Sequence, residues 1–177
     1  MDLYLEEIPS PIGLLSVVTD GRTLRAIEFD GYPGRLAHFL RIHCGDHVLH
    51  AGAAGEAGTQ LRAYLDGDLL AIETLSVLTA GTPFQKRVWE ALRHIPAGTT
   101  LSYGELAKRI GAPTASRAVG MANGANPIPI VVPCHRVIGA NGKLTGFGGG
   151  MERKRWLLAH EAVNAPPPPA SAQLRIW

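Results

Sequence analysis

The stretch SYGELAKRIGAPTASRAVGMANG, residues 102–124, decides the fold of this chain. Near its start a serine stands three positions before a glutamate, the spacing of a capping box, which predicts a helix over residues 102–110. The segment 111–114 predicts a tight turn, with Thr114 as the N-cap of a following helix over residues 115–123. Two short helices joined by a brief glycine-containing turn form the helix-turn-helix pattern, which is typical of DNA-binding proteins.

The residues before and after this pattern extend a helical half of the chain. Thr82-Pro83 suits the N-cap and first position of a helix that ends at the break Pro96-Ala97-Gly98. After the pattern, the sequence NPIP at residues 126–129 forces an extended segment. The apolar run 130–132 is predicted to be a short buried strand. A last helix is predicted over residues 151–161.

The first 80 residues combine strands with short helices. Residues 14–19 and 24–29 are β-rich runs joined through Asp20-Gly21, whose residue types suit the positive φ angles of a hairpin turn. The remaining predicted elements are two short helices and one more strand, at residues 36–42, 60–65 and 69–77.

These patterns predict an α+β protein with two domains and a tail. The mixed segment forms an N-terminal domain over residues 1–80, and the helical segment forms a C-terminal domain over residues 81–163. Residues 164–177 include four consecutive prolines and are predicted to be a polyproline-type tail outside the fold.

Composition favours a folded protein without a membrane partner. Hydrophobic residues make up 46% of the 177 residues and charged residues 18%, which is enough apolar content for a core. No apolar run approaches the roughly 20 residues that a membrane helix needs. The N-terminus is acidic where a signal peptide is basic, so a cytoplasmic protein is expected.

Charge is distributed unevenly between the two halves. Residues 1–80 carry five arginines and eleven acidic residues, a net charge of −6, whereas residues 81–161 carry eleven basic and four acidic residues, a net charge of +7. A nucleic-acid-binding face in the second half produces such a split, although a chance distribution does so as well.

Cys134 is the main candidate for chemistry. It is one of two cysteines, and both are expected to be reduced in a chain without a signal peptide. A cysteine after three apolar residues is often ordinary core filling. However, Pro133 fixes the backbone before it, and His135-Arg136 directly after it favours a thiolate. The glycine-rich loop over residues 139–150 also allows a ligand to approach the backbone closely.

A cysteine hydrolase is one interpretation of these residues. It requires a thiol, a base and an orienting group gathered in a cleft, and His135 and Glu161 suit the last two roles. Such an enzyme does not need a helix-turn-helix beside its nucleophile, so the pattern at residues 102–124 counts against this interpretation.

Arg117 lies early in the second helix of the pattern, where the other side chains are almost all Ala, Gly or Ser. A solvated arginine is the ordinary explanation. However, a helix is about 10–12 Å across with its side chains, and the minor groove of B-DNA is about 6 Å wide. Only a helix with small side chains enters such a groove with modest widening. One long cation on this helix therefore predicts a wedge rather than a major-groove reader.

Several segments occur in a characteristic order and spacing in residues 81–161. They are GTPFQ (81–85), SYGELA (102–107), SRAVG (116–120), ANGANP (122–127), PCHRVIG (133–139) and WLLAHE (156–161). In these segments the chain resembles the active domain of the O6-alkylguanine-DNA alkyltransferases, nearest their compact bacterial form. Residues 1–80 match loosely, chiefly at Ser10-Pro11-Ile12-Gly13. The resemblance implies a ribonuclease-H-like N-terminal domain and a winged-helix-like C-terminal domain.

The resemblance also implies a reaction. An alkyl group moves from O6 of a flipped-out guanine in DNA onto Cys134, and activity on O4-alkylthymine is left open. The product is an irreversible S-alkylcysteine, so each molecule acts once and no cofactor is needed. His135, through a water, and Glu161 relay the thiol proton, and Asn126 holds the cysteine loop. Tyr103 donates to the leaving guanine, so the implied catalytic residues are Cys134, His135, Glu161, Tyr103 and Asn126.

The implied partner is double-stranded DNA containing O6-alkylguanine, bound through its minor groove by a protein that is monomeric in solution and clusters on DNA. Arg117 enters the base stack in place of the flipped nucleotide, and Tyr103 crowds the phosphate of that nucleotide. The residues implied to contact DNA are Arg117, Tyr103, Thr114, Ala115, Ser116, Gly120, Ala122 and Asn123. Those implied to line the substrate pocket are Val137, Phe147, Gly148, Gly149 and Met151, with carbonyl groups near Cys134 and Val137 accepting from the guanine amine.

The chain departs from the family at two pocket positions. Phe147 stands where many members have tyrosine, and Gly148 stands where mammalian-type members carry a hydroxyl. We therefore expect a roomier pocket that accepts alkyl groups larger than methyl.

Two further hypotheses stay open from the sequence. The cluster His38, His43, Cys44, His47 and His50 contains ligand types that zinc prefers, although a histidine-rich helix end explains it equally, and no metal is assigned. The functional alternative is a non-catalytic, lesion-binding winged-helix protein. Alkyltransferase-like proteins of that kind lack the cysteine that stands at position 134.

Overall fold

The computed structural model describes residues 1–166, which form a mixed fold of strands and helices. The elements of the first half are β1 (Asp2–Ser10), β2 (Gly13–Thr19), β3 (Leu24–Phe29), α1 (Arg35–Cys44), β4 (Val48–Ala51) and α2 (Glu56–Leu65). Those of the second half are α3 (Pro83–Arg93), β5 (Leu101–Ser102), α4 (Tyr103–Arg109), α5 (Ser116–Gly124), a 3-10 turn (Cys134–Arg136), β6 (Val137–Ile138) and α6 (Met151–Asn164).

The first half is built on a four-stranded sheet with the strand order β3-β2-β1-β4. β1 pairs antiparallel with β2, β2 pairs antiparallel with β3, and β4 joins the other side of β1 in parallel. The hairpin predicted at Asp20-Gly21 is confirmed. Gly21 has a φ of 92°, and the Asp20 carboxylate accepts from the backbone N–H of Thr23 at 2.8 Å.

β3 is an edge strand of the sheet, and later parts of the chain cover it. The backbone N–H of Ile27 donates to the carbonyl of Pro127 at 2.9 Å, and that of Leu24 donates to Ser76 at 2.9 Å. Every residue of β3 is buried. An unpaired edge is a site of aggregation, so these bonds protect it and join the two halves.

The strand predicted over residues 69–77 is wrong. Successive turns occupy this segment, and only Val77 forms an isolated bridge, to Leu24. Its buried residues Leu69, Ile72 and Leu75 are spaced by three. Three-residue spacing places side chains on one side of consecutive turns, whereas a half-buried strand requires alternation by two.

The predicted helical pattern of the second half is confirmed in its main elements. Thr82 and Ser102 form capping boxes at the starts of α3 and α4. α5 packs against both of these helices. The cap predicted at Thr114 is wrong, because α5 begins at Ser116, its N-cap residue is Ala115 and no side chain caps it.

The predicted strand at residues 130–132 is also wrong, although all three residues are buried. The segment is a turn in which the Val132 N–H donates to the carbonyl of Ile128 at 2.9 Å. The amide side chain of Asn126 bonds the Val132 carbonyl and the Ile128 N–H. These local bonds use the backbone groups that a neighbouring strand would need.

One hydrophobic cluster runs through both halves. It joins Leu15 and Leu61 of the first half to Leu92 and Leu157 of the second. α6 continues to Asn164, three residues beyond its predicted end. Most of the predicted tail, from residue 167 onward, lies outside the described residues. Within residues 1–166, no helix combines the length and hydropathy needed to span a bilayer.

Candidate active site

Cys134 begins the 3-10 turn and is 5% exposed. Its backbone N–H donates to the carbonyl of Val132 at 2.8 Å, and its own carbonyl accepts from the Asn123 side chain at 3.2 Å. In the preceding turn Ile130 has a φ of 74°, in a region that a β-branched residue rarely adopts. Such backbone persists only where the surroundings fix it, so the loop holds the thiol in a defined place.

Asn126 lies directly after α5 and braces the loop from inside. Its Nδ2 donates to the carbonyl of Val132 at 2.7 Å, and its Oδ1 accepts from the N–H of Ile128 at 3.0 Å. The side chain therefore bridges the two ends of the turn that precedes Cys134. It is 6% exposed, so water does not compete with these bonds.

His135 and Glu161 form a buried pair behind the thiol. The Nε2 of His135 lies 2.7 Å from Oε1 of Glu161, and neither side chain is exposed. The nitrogen carries the proton in this bond because Glu161 is held as a carboxylate. The other ring nitrogen, Nδ1, is buried and has no hydrogen-bond partner among the described residues. It is therefore free to accept a proton.

Glu161 is bound from several elements. Arg136 donates to its two oxygens through Nε and Nη2, the Tyr64 hydroxyl donates at 2.7 Å, and the N–H of Gly98 donates at 3.3 Å. Burial alone raises the pKa of Glu161, but the hydrogen bond from His135 and the hydrogen bonds and charge of Arg136 outweigh it and hold that pKa well below its usual range. Glu161 is a carboxylate throughout the neutral range.

Burial opposes ionisation of the Cys134 thiol. Desolvation raises the pKa of Cys134 to about 11, against the smaller lowering effects of the Asn126 amide and the Lys154 charge. Desolvation also lowers the pKa of His135, so the imidazole is neutral near pH 7. The residue next to Cys134 in the chain thus carries a neutral imidazole that is bonded to a carboxylate.

A small pocket with a volume of about 30 Å³ opens beside Cys134. The predicted pocket residues Phe147, Gly148 and Gly149 line it on one side. A Cβ atom on Gly149 would lie 2.6 Å from the rings of both Phe29 and Phe147, so only glycine fits between them. The structure does not place Val137 or Met151 in this lining.

The first half of the chain supplies the opposite wall of the pocket. Its lining residues there are Ile27, Glu28, Phe29, Arg35 and Phe39. Arg35 pairs with Glu28, lies over the Tyr32 ring at 3.8 Å and donates to the carbonyl of Gly148. None of these residues was predicted from the sequence, because no local pattern marks contacts between distant segments such as Arg35 and Gly148, which are 113 positions apart.

The exposed face of α5 carries Ser116, Arg117 and Ala118. Tyr103, at the start of α4, packs beside Gly120, where an added Cβ atom would lie 3.8 Å from its ring. Thr114 is exposed and Ala115 is half-buried just before the helix. The accessible surface of α5 thus carries one arginine among small side chains, together with Met121, one turn after Arg117 and 75% exposed.

Two residues predicted to contact DNA face the interior instead. Ala122 is buried, and its carbonyl accepts from the indole N–H of Trp89 at 2.9 Å. Asn123 is buried and donates to the carbonyl of Cys134. Both lie on the inner face of α5, one or two turns after Arg117, so they tie the helix to the cysteine loop. Val137 likewise turns inward, and its carbonyl accepts from Nζ of Lys154 at 2.7 Å.

The histidine-rich segment does not gather around a common point. His43 accepts from the backbone of Ala80, and His50 lies 2.8 Å from the carboxylate of Asp2. Nowhere in residues 1–166 do three His, Cys, Asp or Glu side chains come together as a metal site would require.

Comparison with known proteins identifies the family. Residues 83–163 match the family model described as 6-O-methylguanine DNA methyltransferase, DNA binding domain. A methylated-DNA–protein-cysteine methyltransferase of Salmonella typhimurium is 52% identical over 163 residues, which cover 90% of this chain and 95% of that protein. One of Methanosarcina acetivorans is 45% identical, covering 90% and 98%.

A solved structure agrees with these sequence matches. The crystal structure of Mycobacterium tuberculosis OGT in complex with DNA superposes with a TM-score of 0.77 at 45% identity, covering 94% of this chain and 96% of that one. The similarity extends over both halves, including the loosely matching first 80 residues. The chain therefore belongs to the methylated-DNA–protein-cysteine methyltransferase family.

Proposed function

We propose that this protein repairs DNA by transferring the alkyl group of O6-alkylguanine to Sγ of Cys134. The observation that carries this is the position of a fixed cysteine at the base of a small pocket, with a neutral histidine and a carboxylate behind it. An alkyl carbon on guanine O6 is a soft electrophile, and a thiolate is the nucleophile that suits it.

The proton route follows the buried chain of groups. Cys134 gives its proton to Nδ1 of His135 through a water molecule, and the Glu161 carboxylate stabilises the imidazolium through its bond to Nε2. Because Arg136 and Tyr64 hold Glu161 charged, this carboxylate stays an acceptor while the imidazole takes up the proton.

The bond changes balance without a cofactor. The thiolate forms a bond to the alkyl carbon as the bond from that carbon to O6 breaks, and the electron pair passes to the guanine. The guanine then takes up one proton, for which Tyr103 is the proposed donor. The product is a thioether, which has no acyl carbon for water to attack, so each molecule acts once.

Delivery of the guanine requires extrusion from the duplex. The reacting atom is inaccessible in stacked DNA, and flipping costs a few kcal/mol. We assign this step to the exposed face of α5, which seats in the minor groove while Arg117 fills the space left by the base. The exposure of Arg117 among small residues supports this assignment, as does the net positive charge of residues 81–161.

The finer architecture belongs to the same proposal. We assign a ribonuclease-H-like topology to residues 1–80, supported by their four-stranded sheet with α1 and α2, and a winged-helix-like topology to residues 81–163, supported by α3, α4 and α5. We infer a cytoplasmic protein, because its nucleophile must stay reduced. Monomeric behaviour in solution and clustering on DNA stay predictions.

Intact-mass measurement tests the proposed reaction. After incubation with an oligonucleotide containing O6-methylguanine, the protein should gain one methyl group, and peptide mapping should place it on Cys134. Cys134→Ala should gain none, whereas Cys44→Ala, the matched control, should react normally. Lesion binding without any mass gain would favour the non-catalytic alternative, and product beyond one equivalent would overturn the single-turnover mechanism.

A further inference from the structure

Tyr64 of α2, in the first half of the chain, contacts the proposed proton relay, which consists of Cys134, His135 and Glu161. Its side chain is completely buried, and its hydroxyl donates to Oε1 of Glu161, on α6, at 2.7 Å. The two residues are 97 positions apart in the sequence. No pattern in residues 1–80 marks this tyrosine, and neither the cysteine loop nor the pocket lining contains it.

The oxygen that accepts from Tyr64 is the same one that accepts from His135. Oε1 of Glu161 accepts from Nε2 of His135 at 2.7 Å and from Nη2 of Arg136 at 2.8 Å. Three strong donors therefore share one oxygen atom. Each additional donor withdraws negative charge from that oxygen, so the Tyr64 bond weakens the attraction that Oε1 exerts on a protonated His135.

The tyrosine is held in place by its own neighbours. Its backbone carbonyl accepts from Nε2 of His160 at 2.7 Å, and its ring meets the His160 ring edge-on at 5.4 Å. His160 in turn stacks on Trp156 at 4.6 Å. Packing alone requires only an aromatic ring at this position, whereas a hydroxyl must find a partner to offset its desolvation. The direction of the hydroxyl is therefore the informative feature.

We propose that Tyr64 is a positioning residue of alkyl transfer, which sets through Glu161 how readily His135 takes the Cys134 proton. This inference rests on the proposed function. The N-terminal half then contributes to the proton transfer, in addition to forming one wall of the pocket.

The charged and titratable groups around the relay define the expected effect. Glu161 faces Tyr64 from α2, His135 and Arg136 from the 3-10 turn, and the N–H of Gly98. His135 also experiences the positive charge of Lys154 from α6. Of these side chains, only Tyr64 can be substituted so that its hydrogen bond is lost while every charge and every member of the relay is kept.

Tyr64→Phe should change how the rate of alkyl transfer falls at acidic pH. Without the hydroxyl, Oε1 of Glu161 is shared by two donors, binds the imidazolium more strongly and raises the pKa of His135. A protonated His135 cannot accept the thiol proton, so the rate falls as pH falls through that pKa. The midpoint of the fall should therefore move to higher pH, by about half a unit.

The experiment measures single-turnover transfer from O6-benzylguanine, supplied as the free base, to the full-length protein across pH. Use of the free base separates the chemical step from DNA binding. Tyr4→Phe, the same change at a half-exposed site on β1, is the matched control and should keep the wild-type midpoint. A second variant carries 3-fluorotyrosine at position 64, which keeps the shape but donates more strongly, so its midpoint should move to lower pH.

Shifts of opposite sign in the two variants establish the inference. A lower rate at an unchanged midpoint, in either variant, means that Tyr64 only supports the fold and overturns it. If Tyr64→Phe does not fold, the fluorotyrosine variant decides alone. If wild-type protein shows no alkylation of Cys134, the proposed function itself fails, and mass measurement on every sample distinguishes that result.

Discussion

Lys154 is the residue whose surroundings differ most from what its type predicts. Its side chain is completely buried, whereas lysine is almost never fully buried unless paired. Its Nζ donates to the carbonyls of Val137 at 2.7 Å and Thr145 at 2.8 Å. The ammonium group thus ties the chain on both sides of Gly139 to α6, close enough to Cys134 to lower the pKa of the thiol.

Lys154→Met should weaken both stability and reactivity. The methionine keeps the apolar stem but leaves two carbonyls without a donor, at about 1–3 kcal/mol each. We expect the free energy of unfolding to fall by about 2–6 kcal/mol. The pKa of Cys134 should rise, and the transfer rate at pH 7 should fall several-fold. Urea unfolding and single-turnover kinetics measure both effects.

Lys143→Met is the control for this prediction, because Lys143 is exposed in the neighbouring loop. It should change neither quantity. If Lys154→Met unfolds at the same urea concentration and transfers the alkyl group at the same rate as wild type, the buried ammonium group contributes to neither stability nor reactivity.

At the scale of elements, α5 allows DNA binding to be separated from chemistry. Arg117→Ala should slow repair of duplex DNA by about 10- to 100-fold, because flipping costs a few kcal/mol and the arginine fills the space that the base leaves. Transfer from the free base should keep its wild-type rate. Arg22→Ala, an exposed arginine of the first half, is the control. Equal losses on duplex and free base would contradict the assigned role.

α1 meets the pocket loop through its first residue, Arg35. This side chain donates to the carbonyl of Gly148, and an added Cβ atom on Gly148 would lie 3.8 Å from its guanidinium. The space that a glycine at position 148 leaves open is therefore bordered by Arg35. The roomier pocket expected from the sequence depends on where this arginine lies.

Arg35→Ala should widen the range of alkyl groups. Loss of the bond to Gly148 frees the loop and the space beside it, so the ratio of benzyl to methyl transfer rates should rise several-fold. Competition between the two oligonucleotide substrates measures the ratio. Arg41→Ala, at the exposed end of the same helix, should leave it unchanged. An unchanged ratio in Arg35→Ala would mean that the arginine does not limit the pocket.

Elements with strong local signals could be predicted from the sequence, and elements shaped by distant contacts could not. The N-cap predicted at Thr82 and the capping box predicted at Ser102 located the starts of α3 and α4 correctly, because cap and helix are neighbours in sequence. The predicted strand at residues 130–132 failed because the Asn126 side chain takes its backbone bonds. Local motifs likewise marked Cys134 and His135, whereas Arg35 and Tyr64 reach the site only through tertiary packing.

The larger of the two hydrophobic clusters in residues 1–166 runs through both halves of the molecule, and the smaller one, Leu3, Val18, Ala26 and Leu40, lies in the first half. The buried cluster is continuous from the sheet to α6, and the bond from Ile27 to Pro127 joins the edge of β3 to the residues after α5. Polar contacts cross the same boundary at Tyr64 and at Arg153, which bonds Asp30 and the carbonyl of Ile12. The larger cluster is therefore buried only when the two halves are packed together.

The protein should therefore unfold in one transition. Trp89 and Trp156 report on the second half through fluorescence, and amide exchange in β2 reports on the sheet, so the two probes should give the same urea midpoint. Tyr64→Phe removes a hydrogen bond between the halves. It should lower the urea midpoints of the fluorescence and amide-exchange probes equally, since a shared interface contributes to the stability of both halves. Separate midpoints, or a shift confined to one probe, would show that residues 1–80 and 81–163 fold independently.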